Sequence, residues 1–298
     1  KDRNCQYFPS TPAPLYLAVM EENDRIPVTD FGGQGPPLHF AHANTYPPRC
    51  YSQLFQPLTA KFHVWAMEQR PLWAGQSPQQ LHSWNLFADD LIRAMEQCNF
   101  EGIIAAGHSL GAAISMMAAV QRPALFSALV LIEPVLLPPA LLEAARAHPE
   151  QADLMPLVQR ARRRRDRWPH RRHAFEHFRG KSVFAGLSDE ALWDYVDHGL
   201  EETPEGDVVL RFPREWEAQI YARPPLDIWK IVPQIGAPTL AIRGARSDTL
   251  GDEAWHRWQS LQPAAHFVEL QDAGHLAPLE QPERLATIIC DFLDALDA

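Results

Sequence analysis

The sequence predicts an α/β fold, a mostly parallel sheet with helices on both faces and a helical segment inserted into it. Three observations predict it. Short apolar runs with the length of buried strands alternate with longer segments of helical periodicity. One run, Gly102-Ile103-Ile104-Ala105-Ala106, leads into Gly107-His108-Ser109-Leu110-Gly111 and then into a helix that is apolar nearly all round. The alternation stops near Val135 and resumes after about Pro225. Strands separated by helices favour a parallel sheet covered on both faces.

Along the chain, Leu15–Met20 and the segment from Val28 to Phe31 read as an opening hairpin turning through Glu22-Asn23-Asp24. Pro37–Ala41 is a short buried strand, followed by a helix near Tyr51–Ala60 and a strand over Phe62–Met67. Ser77-Pro78-Gln79-Gln80 carries helix-start signals: a capping serine, a proline in the first turn and a glutamine three residues after the cap. From there Trp84, Phe87, Leu91, Met95 and Cys98 recur at three- and four-residue intervals, one face of an amphipathic helix. Leu129–Ile132, Thr239–Ile242 and Phe267–Leu270 read as further buried strands, and a last helix runs through Leu285, Ile289, Phe292 and Leu296. The stretch between Val135 and Pro225 is rich in Arg, His, Trp and Phe and reads as several short helices without βα alternation. The expected division is therefore a core over 1–134 and 226–298, interrupted by a helical cap over 135–225.

The pentapeptide at 107–111 has a mechanical rationale. A serine on a sharp strand-to-helix turn takes a strained backbone, and only residues without side chains clear the neighbouring strand and helix. The turn lifts the hydroxyl to a helix N-terminus, where N–H groups and the helix dipole favour a developing negative charge. The pattern alone is only moderately specific, since an inert glycine-rich turn satisfies it. The strand before it and the helix after it make Ser109 a candidate nucleophile.

With these elements in place the chain resembles the α/β-hydrolase superfamily, in its cap-bearing form that includes carboxylesterases, lactonases and carbon–carbon bond hydrolases. The resemblance runs from Leu15 to Leu296 and is weakest in the cap. It implies an eight-stranded sheet and the chain order nucleophile, acid, histidine. Ile242-Arg243-Gly244-Ala245-Arg246-Ser247-Asp248 matches the family's strand, glycine and aspartate pattern, and Ala273-Gly274-His275 its Gly-His pair after the last strand. The implied catalytic set is Ser109, Asp248 and His275. Glu133, at the end of the Leu129–Ile132 strand, is the alternative acid, since some relatives place the carboxylate there. The chemistry needs these types together: a histidine takes the proton of a poorly nucleophilic hydroxyl and returns it to the leaving group, while an acid fixes the imidazole tautomer. His42-Ala43-Asn44 resembles the family's oxyanion loop, with the N–H groups of Asn44 and Leu110 as donors. Ala43 stands where glycine is usual, which makes its own N–H an alternative donor. Glu68-Gln69-Arg70-Pro71 departs from the family's Asp-X-Arg-Gly-His-Gly loop and reads as a structural turn.

The implied reaction is cleavage of a small or medium carboxylic ester through an acyl-enzyme, with no metal and no cofactor. Relatives with an aspartate nucleophile, the epoxide hydrolases and haloalkane dehalogenases, are set aside by Ser109. A lactonase or carbon–carbon bond hydrolase is the enzyme alternative, and a ligand-binding homologue without turnover is the alternative from another class.

A chain of 298 residues with 46% hydrophobic content can bury a large core, and its formal net charge of −10 argues against a general nucleic-acid binder. No apolar run approaches the roughly 20 residues of a membrane span. Lys1–Leu15 lacks the apolar centre of a signal peptide. Cys5, Cys50, Cys98 and Cys290 are scattered, without a CxxC pair, and point to a reduced, cytoplasmic protein. Against the acidic background stands the block Arg160-Ala161-Arg162-Arg163-Arg164-Arg165-Asp166-Arg167-Trp168. It reads first as an exposed helix face of the cap, with steering of an anionic substrate as the sharper alternative.

Overall fold

The computed structural model of the chain describes residues 25–296. Its first half runs β1 (Val28–Gly32), β2 (Pro37–Ala41), α1 (Ser52–Leu58), β3 (His63–Met67), α2 (Asn85–Gln97), β4 (Ile103–His108), α3 (Leu110–Gln121) and β5 (Phe126–Ile132). Between β5 and the next sheet strand lie α4 (Pro139–Ala147), α5 (Pro156–Arg163), β6 (Arg167–Trp168), α6 (Arg171–Arg179), α7 (Asp189–Gly199), β7 (Leu200–Glu202), β8 (Val208–Leu210), α8 (Arg214–Ala222) and α9 (Ile228–Ile231). The chain then returns with β9 (Thr239–Gly244), α10 (Asp252–Leu261), β10 (His266–Leu270), α11 (Ala277–Glu280) and α12 (Pro282–Leu296).

Seven strands form the main sheet in the order β1-β3-β2-β4-β5-β9-β10. All neighbours are parallel except β1, which runs antiparallel to β3. The strand expected at Leu15–Met20 lies outside the described residues, so the eighth strand has no counterpart among them. Strand side chains alternate between the two faces, as the pleat requires. Leu129 and Leu131 of β5 join the apolar layer shared with α2, α3 and α10, while Ala128, Val130 and Ile132 join the layer shared with α1 and α12. Truncating one of these fully buried leucines to alanine costs about 2–5 kcal/mol. Helix α3 is buried from Leu110 through Ala119, which explains why it is apolar all round.

Two elements depart from the sequence expectation. The helix predicted to start at Ser77 begins instead at Asn85. Pro78–Gln80 form a single 3-10 turn whose Gln80 side chain accepts the Ser77 N–H (3.2 Å), and extended Leu81 then interrupts the helix. Phe87, Leu91 and Met95 still form its buried face. The inserted segment, expected to be helical, also carries a small antiparallel sheet in the order β6-β8-β7. A turn with Gly206 at φ 90° joins β7 to β8. Strands of two and three residues are too short to show a period of two in the sequence.

The loops after β2, β3, β4, β5, β9 and β10 leave the carboxyl end of the parallel sheet. In open α/β sheets that edge is where ligands bind.

Candidate active site

Ser109 sits between β4 and α3 at φ 55°, ψ −115°, in a backbone region that costs a non-glycine residue of order 1–3 kcal/mol. The turn is held from both sides: the Ser109 N–H donates to the Ile132 carbonyl (3.0 Å) and its carbonyl accepts from the Ala113 N–H (3.1 Å). The flanking glycines are dictated by contact. A Cβ on Gly107 would lie 2.7 Å from the backbone of Gly111 and Ala112, and one on Gly111 would lie 1.9 Å from the Ala41 carbonyl oxygen. Among the described non-glycine residues, five have positive φ: Thr45, Asn99, Ser109, Glu133 and Asp272. All but Asn99 lie in loops at the carboxyl edge, so the strain is concentrated there.

His275 Nε2 lies 3.0 Å from Ser109 Oγ, and His275 Nδ1 lies 2.9 Å from Glu133 Oε2. The carboxylate oxygen accepts, so Nδ1 carries the proton and Nε2 is free to accept from the serine hydroxyl. Glu133 is fully buried, and two further donors face it: the Gly244 N–H on Oε1 (2.6 Å) and the Ser247 hydroxyl on Oε2 (2.5 Å). Asp248, the acid the family pattern implied, is not brought to His275. Its side chain is exposed and accepts from the neighbouring Thr249 hydroxyl (3.3 Å). The physical reason is local. The Ser247 hydroxyl turns inward to Glu133 and also accepts the Thr249 and Leu250 N–H groups (3.2 and 3.0 Å), so the loop folds around Ser247 and leaves Asp248 facing solvent. The carboxylate in contact with His275 is the alternative one, delivered by the end of β5. Gly244 is required here too, since a Cβ would lie 2.4 Å from the Ala273 carbonyl oxygen.

The loop after β2 lies over the turn at Ser109. Asn44 and Leu110, the expected oxyanion donors, both line the cleft in front of Ser109. As the first residue of α3, Leu110 has an N–H with no acceptor within the helix. The Ala43 N–H is not free to substitute, because it donates to the Tyr51 hydroxyl (3.1 Å). Beyond it runs a buried chain that sequence reading missed. Tyr51 Oη lies 2.9 Å from His108 Nδ1, and His108 Nε2 lies 2.7 Å from the His275 carbonyl oxygen. A carbonyl only accepts, so His108 Nε2 donates, Nδ1 accepts, and Tyr51 donates to it. Burial, the neighbouring His275 charge second, holds His108 well below the usual imidazole range and keeps it neutral. One set of hydrogen bonds thus ties the loop after β2, the turn at Ser109 and the loop bearing His275. His42, buried and pushed down to about 4 by desolvation, donates from Nδ1 to the Ala43 carbonyl (2.8 Å) and accepts the Gln69 N–H at Nε2 (3.0 Å). That bond gives Gln69 its place, and Glu68 and Arg70 beside it pair with Arg211 and Asp90.

The cleft has a volume of about 1840 Å³ and is lined both by core loops and by the inserted segment. Its walls are largely apolar or aromatic, with Met117, Leu137, Phe178 and Phe184 among them. Two polar features stand out. The Asn44 carboxamide is 7% exposed, lines the cleft, and has no hydrogen-bond partner on either its oxygen or its nitrogen. Arg164 of the insertion donates to Glu217 (2.6 Å) and to the Tyr195 hydroxyl (3.2 Å). Among the aromatic residues of the insertion, Trp168, Phe178, Phe184, Tyr195 and Trp216 are buried.

The profile of the alpha/beta hydrolase family matches residues 40–288, and the chain belongs to that family. It is 25% identical over 241 residues to YugF, an uncharacterised hydrolase of Bacillus subtilis, a match covering 79% of this chain and 82% of the relative. Among solved structures it is similar to E-2-(acetamidomethylene)succinate hydrolase, with a TM-score of 0.77 and 22% identity over 90% of this chain and 95% of the other. It is also similar to an esterase of M. tuberculosis (TM-score 0.68, 18% identity, 99% and 92% covered) and to the enol-lactonase of Burkholderia xenovorans (0.65, 15%, 90% and 95%). These structural likenesses carry the fold.

Proposed function

We propose that the protein is a serine hydrolase that cleaves a carboxylic ester through an acyl-enzyme, with Ser109 as nucleophile, His275 as general base and acid, and Glu133 as the acid that orients His275. The observation that carries this reading is the continuous path from Ser109 Oγ through His275 to Glu133, with distances of 3.0 and 2.9 Å. Ser109 Oγ attacks the carbonyl carbon as its proton passes to His275 Nε2. The tetrahedral oxyanion then faces the N–H groups of Asn44 and Leu110, donors of a kind worth about 3–4 kcal/mol each when a side chain supplies them. Collapse breaks the bond to the leaving alkoxide, which takes the proton from His275. Water then attacks the acyl-Ser109 carbonyl with His275 again as base, releasing the acid and restoring the serine. Glu133 holds Nδ1–H in place throughout and stabilises the transient imidazolium. The segment over 135–225 acts as a cap that roofs an acyl pocket, a role supported by its residues in the cleft wall. Among the described residues Cys50 and Cys290 take part in no disulfide, which supports a reducing, cytoplasmic setting.

The test is labelling with a fluorophosphonate together with hydrolysis of p-nitrophenyl esters of graded acyl length. Labelling and turnover that both vanish in Ser109→Ala are the expected result. Unlabelled wild-type protein, or equal labelling of the variant, would overturn the reading.

A further inference from the structure

The arginine block of the insertion is left unexplained by the chemistry at Ser109. Three carboxylates line the cleft, Asp153, Glu217 and Asp227, and each is already paired: with Arg162 (2.5 Å), with Arg164 (2.6 Å), and with Arg146 and Lys230 (3.0 and 2.8 Å). Four further exposed cations line the same cleft, Arg160, Arg163, Arg165 and Lys181, beside the half-buried Arg223, which donates to the Gln219 side chain. Among the described residues none of the four has a carboxylate within ion-pair distance. Arg163 donates to the Gln159 side chain (3.1 Å), and Arg165 donates to the Arg167 carbonyl (2.8 Å) and lies over the Trp168 ring. They come from the end of α5, the loop between α5 and β6, and the turn after α6, three pieces of the insertion. His177, beside them in the cleft wall, is lowered first by desolvation and then by Lys181 and Arg165, a sign that the local potential is positive. The chain as a whole carries a formal charge of −10, so an uncompensated cationic cleft wall is a local inversion of the protein's field.

Solvent-exposed arginines on a helix face need no ligand. These four instead share the wall of the cavity that contains Ser109. A cleft of about 1840 Å³ exceeds the space that a short neutral ester fills. Arginine and lysine recognise carboxylate and phosphate oxygens, arginine in bidentate fashion.

We infer that this wall of the cleft is an anion-binding subsite, and that the substrate cleaved at Ser109 carries a carboxylate or phosphate remote from the scissile acyl bond. The inference rests on the reading of Ser109 as the nucleophile. It names the substrate class: an acyl compound with an apolar middle, and an anionic group on its acyl or its leaving-group side.

Two matched probe pairs separate the sources of the anion. Mono-p-nitrophenyl suberate against p-nitrophenyl octanoate tests a carboxylate on the acyl side. Hexanoyl-coenzyme A against the hexanoyl thioester of N-acetylcysteamine tests phosphates on the leaving-group side. For at least one pair, kcat/KM for the anionic member is expected to exceed that of the neutral member tenfold or more at 20 mM salt, and to lose most of that advantage at 300 mM. The double variant Arg160→Glu/Arg163→Glu should remove the advantage while leaving the neutral member within about twofold. Equal or poorer turnover of both anionic members, or an advantage untouched by the double variant, would overturn the inference. Calorimetric binding of suberate and of coenzyme A to the Ser109→Ala protein reads the subsite without turnover. Binding that is weakened by the added Arg160→Glu/Arg163→Glu changes supports the subsite even if fluorophosphonate labelling fails. Absence of binding counts against the subsite whatever the state of Ser109.

Discussion

Glu133→Gln should be far more damaging than Asp248→Asn, and the structure gives the size of the difference. Three donors converge on the Glu133 carboxylate: His275 Nδ1–H, the Ser247 hydroxyl and the Gly244 N–H. A carboxamide has one accepting oxygen and one donating nitrogen, so it cannot serve all three. If its NH₂ faces His275, Nδ1 must accept, the ring proton moves to Nε2, and Nε2 can no longer take the proton of Ser109. A wrong tautomer of this kind costs about 10⁴-fold in kcat in a serine protease triad, or about 5.5 kcal/mol of barrier. If the NH₂ instead faces Gly244, two donors meet and about 1–3 kcal/mol of stability is lost. Asp248 is exposed and touches only Thr249, so Asp248→Asn should leave kcat within about twofold. The assay is kcat for a p-nitrophenyl ester, with thermal unfolding of each variant to separate lost chemistry from lost fold. A larger fall for Asp248→Asn than for Glu133→Gln, both folded, would refute the reasoning and return the acid to the loop after β9.

Tyr51→Phe leaves the Ala43 N–H and His108 Nδ1 buried without their partner, and should lower stability by about 2–4 kcal/mol in denaturant unfolding and reduce kcat more than it raises KM. Asn44→Ala removes a buried carboxamide with no partner of its own, so the unfolding midpoint should hold or rise while KM for the preferred ester increases; a clear loss of stability would contradict this. His39 and His42 are held down to about 3 and about 4 by burial, and His108 is also held low. The unfolded chain takes up protons near pH 6.5 while the folded chain does not, so stability is complete above about pH 6.5 and falls as the pH drops toward the folded values. Each histidine contributes up to about 1.4 kcal/mol per pH unit within that window, and the urea midpoint should therefore decline steeply between pH 6.5 and 5. A flat profile there would mean that these imidazoles are not buried and neutral.

The parts of the site that were legible in the sequence are those whose cause is local. Ser109 was readable because strand, glycine, serine, glycine and helix follow one another directly, and the contacts of Gly107 and Gly111 give each glycine its reason. His275 was readable from the loop after the last strand. The carboxylate that meets His275 was not, because Glu133 directly follows β5 while Asp248 lies in the loop after β9, and sequence order alone does not say which of the two reaches the imidazole. Their choice depends on β5 lying between β4 and β9, on the positive φ that aims Glu133, and on Ser247 turning the next loop so that Asp248 faces outward. The Tyr51 to His108 chain was hidden for the same reason, since its partners are 57 residues apart. The three-stranded sheet of the insertion was hidden by its short strands.

The sequence by itself determined the alternation of strands and helices, the apolar α3, the turn that presents Ser109 and the loop that carries His275, because short-range sterics and periodicity decide each of them. Only the tertiary structure decided which carboxylate meets His275, which N–H groups of the loop after β2 remain free, and which arginines of the basic block line the cleft. Those are contacts between segments distant along the chain, and they exist only once the parallel sheet has set its strand order and register.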